Sequence, residues 1–159
     1  MKSVFNNPLV KTTKEPETFV AKQKYFLIHT FKNYFERNFK QMHYYAKRRA
    51  DEYIDNPHFT EYVPAKYIGA LNNVLISSLR TNNTTDLEYY FKKLNALYAT
   101  LSSQQDKKQA FISSLFGLKY YLEVKNYPKA NTVIQKIINE LPDYENRLEL
   151  TDKMDFYAN

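Results

Sequence analysis

Residues 64–101 read PAKYIGALNNVLISSLRTNNTTDLEYYFKKLNALYATL. Pro64 suits the first turn of a helix, where its missing N–H costs nothing. Tyr67, Ile68, Leu71, Val74, Leu75 and Leu79 follow at three- and four-residue steps, which places them on one helical face. The run Thr81-Asn82-Asn83-Thr84-Thr85 interrupts that face, because Asn and Thr side chains compete for backbone hydrogen bonds and favour turns and caps. Thr84 or Thr85 is expected to cap a second helix, with Asp86 and Glu88 facing the positive end of its dipole. Leu87, Tyr90, Phe91, Leu94, Leu97, Tyr98 and Leu101 form the second stripe. Two apolar stripes joined by a short polar turn predict an antiparallel helical hairpin.

The same unit is legible on either side. Upstream, Pro16 with Glu15 and Glu17 marks a helix start, and Phe19, Phe26, Leu27, Thr30, Phe31 and Tyr34 make a broad stripe. The turn Glu36-Arg37-Asn38 follows, and Asn38 is a good cap for a helix carrying Phe39, Met42, Ala46, Ala50 and Tyr53. That helix is expected to stop before Asn56-Pro57. Downstream, the polar break Ser102–Gln105 precedes a helix from about Asp106 with Phe111, Ile112, Leu115, Leu118, Tyr121 and Leu122. After Lys125-Asn126-Tyr127, a helix from Pro128 carries Ala130, Ile134, Ile137 and Ile138 and is expected to end at Leu141-Pro142-Asp143. The expected fold is therefore all-α: an irregular arm over 1–15, then hairpins over about 16–56, 64–101 and 106–141, and a further amphipathic helix over 144–157. Stacked hairpins of this kind form a short α-solenoid.

Composition narrows the chemistry. The 159 residues suffice for one domain with its own core. With no cysteine there is no disulfide framework and no thiolate nucleophile. Two glycines leave no room for a glycine-rich phosphate loop. The 15 Tyr and 11 Phe are expected to fill positions that Leu or Trp would otherwise occupy in a core. No apolar run approaches the roughly 20 residues of a membrane helix, and Met1–Pro8 is too polar for a signal core, so a cytoplasmic chain without a membrane partner is expected. The net charge of +6 is uneven: residues 1–60 carry 11 Lys or Arg against 6 Asp or Glu, whereas 111–159 carry 6 against 7.

The third hairpin resembles a tetratricopeptide repeat. Asn126-Tyr127, Ala130, Ile134, Ile137 and Pro142 fall at that family's spacings, and Tyr121 falls where its first helix has Tyr. Lys125 replaces the turn glycine, Ile137 a small residue, and Ser114 a large one. The second hairpin looks similar but weaker, with Asn73-Val74, Leu87, Phe91 and Leu94 in register. The resemblance implies a superhelix with a concave, protein-binding face, in which Asn73 would grip a peptide backbone.

Candidate site residues follow from these readings. His29, His43 and His58 lack the supporting ligands of a zinc or acid–base site, so no metal, cofactor or catalytic group is expected, even if His29 and His43 approach each other. Lys24, Lys32, Asn73 and Lys119 lie on first helices off the core stripes and are the candidates for contacting a partner peptide or helix. The alternative is nucleic-acid binding through Lys47, Arg48 and Arg49, set among aromatic residues. Consecutive helical residues point about 100° apart, so those three do not form one stripe. Of the two mid-helix asparagines, one of Asn72 and Asn73 is expected to link hairpins by hydrogen bonds. Leu148, Leu150, Met154, Phe156 and Tyr157 spread around the last helix, which suggests further repeats or a homo-oligomer formed through it.

Overall fold

A computed structural model of the chain describes residues 14–144. The expected arm, apart from Lys14 and Glu15, and most of the expected last helix lie outside the described residues. Seven helices are present among them and no strand: α1 (Phe19–Phe35), α2 (Phe39–Asp55), α3 (His58–Tyr62), α4 (Pro64–Thr81), α5 (Thr84–Thr100), α6 (Gln104–Glu123) and α7 (Tyr127–Tyr144).

The three polar turns share one backbone geometry. Arg37, Asn82 and Lys125 each adopt the left-handed conformation, with φ of 57, 54 and 56°. The next residue is asparagine every time. Its N–H reaches back five residues, from Asn38 to Asn33 O (2.8 Å), Asn83 to Ser78 O (2.9 Å) and Asn126 to Tyr121 O (2.8 Å). The left-handed residue bonds three back, to Tyr34, Leu79 and Leu122 O. This pair of bonds is the Schellman motif, which satisfies carbonyls that a helix end would otherwise leave bare. Each asparagine then caps the following helix, its Oδ1 accepting from the N–H of Gln41 (3.4 Å), Asp86 (3.1 Å) or Lys129 (3.3 Å). Asn83, not Thr84 or Thr85, therefore caps α5, because only its side chain lies at the position whose carbonyl opens the helix.

Several boundaries move from their expected places. α1 begins at Phe19 rather than Pro16, and Glu15 is drawn instead to Arg48 (2.7 Å) and Lys22 (4.0 Å). α3 was not expected, since five residues are too few to show a period. α6 begins at Gln104 because Ser103 caps it, accepting from Asp106 N–H at 3.4 Å. α7 starts at Tyr127 and runs on to Tyr144 past Pro142; one missing N–H bond in a last turn leaves only the Ile138 carbonyl open, on an exposed residue.

The helices fall into two compact units, residues 1–90 and 91–159, with the boundary inside α5. In the first, α2 packs against both α1 and α4. Its buried stripe of Met42, Ala46, Ala50 and Tyr53 explains this, because two alanines let both neighbours approach closely. Phe26, Ile68, Leu71, Val74, Leu75 and Leu87 complete this core. Phe19 stacks on Phe59 with ring centroids 3.9 Å apart, which closes α3 over the start of α1. The α1 stripe differs from its expected form: Phe26 and Thr30 are buried, but Phe31 and Tyr34 are 48% and 42% exposed. Gln23, His29 and Asn33 are buried in their place. Asn33 donates to His29 O at 2.8 Å, and Gln23 donates to Arg49 O at 3.0 Å.

In the second unit α6 packs on α7. The buried side of α6 is built of small residues, Ala110, Ser113, Ser114 and Gly117, with Phe111, Tyr120 and Tyr121. The Phe91 ring lies over Gly117, where an added Cβ would come within 2.2 Å of it. Ser114, at a position where the tetratricopeptide pattern has a large residue, folds its hydroxyl back on Ala110 O (3.4 Å) and keeps this face low. α7 is tied to α5: Tyr98 Oη donates to Glu140 (2.7 Å), and Lys136 Nζ lies 4.1 Å from the Tyr98 ring centroid.

Candidate functional site

With the small residues of α6 turned inward beside Phe111, Tyr120 and Tyr121, its remaining apolar residues face the other way. Ile112, Leu115, Phe116, Leu118 and Leu122 recur at helical spacing along that outer side. Ile134, Ile137 and Ile138 meet them from α7. The result is an apolar groove of about 640 Å³, with Lys119 and Glu123 as its two charged lining residues. Leu122 and Ile138 are 45% and 55% exposed, so the groove is open to solvent along its length. Apolar side chains at this exposure are stabilised by whatever covers them, at roughly 25 cal/mol per Å² removed from water. Lys119, a predicted site residue, is thus on the lining of an open groove. Its neighbours were expected in the core, and a core stripe and a groove stripe have the same period.

The other predicted residues are not brought together. Lys24 and Lys32 lie on α1, exposed and half-buried, in the first unit. Asn73 is half-buried on α4. Asn72 beside it has its Oδ1 buried without a hydrogen-bond partner among the described residues, so the expected link between hairpins is not made through that atom.

The basic segment is spread over three environments, as its angular spacing requires. Lys47 Nζ donates to Asp86 at 2.9 Å. Arg48 donates to Glu15 at 2.7 Å and lies 5.3 Å from the centre of the Phe26 ring. Arg49 is buried, its Nε donating to Gln23 Oε1 at 3.2 Å, and burial lowers its pKa while the Tyr53 hydroxyl opposes that shift.

A polar junction joins α2 to the turn before α5. His43 Nδ1 lies 2.9 Å from Ser77 Oγ, and its Nε2 lies 2.9 Å from Asp86 Oδ2. Asn83 Nδ2 donates to the same Asp86 oxygen at 2.9 Å. The trio of Ser77, His43 and Asp86 has the membership of a nucleophilic triad. Its geometry does not serve one. Ser77 has no exposed surface, and its hydroxyl donates to Val74 O at 3.0 Å. A nucleophile must reach the substrate and lose its proton to the base; this serine is sealed in a helix interface. His29 has different surroundings, stacked on Tyr45 with centroids 4.7 Å apart. The two histidines therefore do different structural work, and no group of three or more His, Asp or Glu suited to a metal ion occurs among the described residues.

No helix among the described residues is long and apolar enough to cross a membrane. Comparison of the chain with protein-family models, with curated proteins and with solved structures returns no match.

Proposed function

We propose that this chain is a non-catalytic protein-interaction module, a stack of tetratricopeptide-like hairpins whose α6–α7 groove takes an amphipathic helix of a partner. The observation that carries the reading is the open apolar groove itself, with Leu122 and Ile138 uncovered. Small-molecule sites bury most of their ligand; a channel open along two helices suits a long apolar stripe better. The reading is supported by the thrice-repeated turn, whose left-handed residues lie 45 and 43 positions apart, a period within the range of helical-repeat proteins. Lys119 and Glu123 on the lining would set the helix's direction.

The nucleic-acid reading gains nothing from Lys47, Arg48 and Arg49, since two are paired with carboxylates and the third is buried. The test is affinity capture from the native lysate with the full chain and with Leu122→Asp/Ile138→Asp. Partners recovered by the first and lost by the second, at unchanged circular dichroism, are expected. Recovery of the same partners by both would remove the groove from the function.

A further inference from the structure

α1 has a second apolar face. Its core side carries Phe26 and Thr30, but Val20, Ile28, Phe31 and Tyr34 are 59%, 38%, 48% and 42% exposed. At 100° per residue these four, with Lys24, fall within about 120° of arc, so they form one continuous outer stripe. It runs about 21 Å along the helix at 1.5 Å per residue. An isolated exposed apolar residue is ordinary, but an aligned series marks an interaction surface.

The charge on α1 says what kind of surface. Between Phe19 and Phe35 there are three lysines, Lys22, Lys24 and Lys32, and no Asp or Glu. Lys22 is committed to Glu52 at 2.9 Å. Lys24 stands exposed within the stripe, and Lys32 is half-buried on its flank. We infer that this outer face of α1 docks an acidic amphipathic helix of a partner protein. A helix fits because the stripe is itself a helical ridge, and ridges pack into the grooves between side-chain rows of another helix. An acidic one fits because its carboxylates would meet Lys24 within the stripe and Lys32 on its flank, where ion pairs steer association and fix register. A second copy of this chain fits worse, since α1 carries no Asp or Glu between Phe19 and Phe35 to meet those lysines. The inference shares with the proposed function the view that the chain is an interaction module, but it concerns a different surface in the other unit.

The experiment selects a displayed library of helical peptides, randomised at every position, against the full chain. Enriched peptides should carry net negative charge and apolar residues at i, i+3 or i+4, and i+7. Their binding should fall at least tenfold with Phe31→Asp, an exposed position that leaves the core alone, and with Lys24→Glu/Lys32→Glu. The double variant should regain affinity for peptides in which Glu is replaced by Lys. Leu122→Asp, in the α6–α7 groove, should leave this binding unchanged. Enrichment only of neutral or basic peptides, or of peptides indifferent to Phe31→Asp, overturns the inference. So does a dimer that Phe31→Asp dissociates in light scattering, which would make a second copy the occupant. Failure to enrich any peptide overturns it too, whether the stripe then captures phosphatidylserine vesicles or cross-links from position 31 to residues 1–13. If every binder instead depends on Leu122, the proposed function stands and this inference falls.

Discussion

Asp86 ties α5 to α2 through three side-chain donors, Lys47, His43 and Asn83, each at 2.9 Å. Burial alone would raise its carboxyl pKa, but the hydrogen bonds and positive charge of Lys47 and His43 outweigh that and hold it below 3.8. A carboxyl with a depressed folded-state pKa contributes stability that is present above its unfolded value and lost as pH falls through the folded one. Asp86→Asn should therefore destabilise the protein by about 1–3 kcal/mol near pH 5. The gap to the parent should narrow as pH falls below 3.8, which urea titrations at both pH values will show. A gap independent of pH would mean that shape, not charge, holds the junction. Lys47→Ala should cost about 1 kcal/mol or less, because its side chain is 43% exposed and exposed pairs are weak. None of this was legible in the sequence. The local pattern makes Asp86 a first-turn acid and Lys47 a candidate phosphate contact, and 39 residues separate them. Local patterning carries no information about which polar groups the fold will bring face to face.

Helices were the most legible feature, since period, caps and turn residues act over a few positions. The turn conformation adds a consequence. Lys125 carries a side chain yet adopts φ of 56°, where a Cβ crowds the backbone. Lys125→Gly and Arg37→Gly should each stabilise by about 0.5–1 kcal/mol, the relief of strain exceeding the entropy that glycine loses. Asn82→Gly should gain less, because Asn tolerates this conformation. Chemical denaturation of the three variants would rank them, and a loss at Lys125 would show that its side chain earns its place by contacts. The natural glycines make a second contrast. Gly69 has open space where a Cβ would go, so Gly69→Ala should stabilise by about 0.5–1 kcal/mol. Gly117 meets the buried Phe91 ring, so Gly117→Ala should destabilise by about 1–3 kcal/mol despite alanine's helix propensity. Opposite signs in thermal melts are the expected result. Both glycines read alike in the sequence, isolated within a helical pattern. The same holds for the groove: Leu115 and Leu122 keep a core-like spacing, and only the small inward face of α6 reveals that they point elsewhere.

At the scale of the whole chain, charge and its local use separate. The net +6 is concentrated in residues 1–60, and such a field attracts polyanions at long range. Affinity, however, requires cations free to displace counterions from phosphates. In the first unit Lys22 is paired with Glu52, Lys47 with Asp86 and Arg48 with Glu15, while Arg49 is buried. Recruiting any of these to a phosphate would break an existing pair or expose a buried contact. A fluorescent single-stranded oligonucleotide should therefore bind no tighter than roughly 10⁻⁵ M at physiological salt. Changing Lys47, Arg48 and Arg49 together to Ala should lower the melting temperature more than it weakens that binding, since the residues are spent on packing α2 against its neighbours. Anisotropy across a salt series, with a melt of the same variant, measures both. Binding well below 10⁻⁵ M that the triple change abolishes, at an unaltered melting temperature, would show instead that the three cations leave their partners for phosphate. The basic first third would then be a nucleic-acid surface.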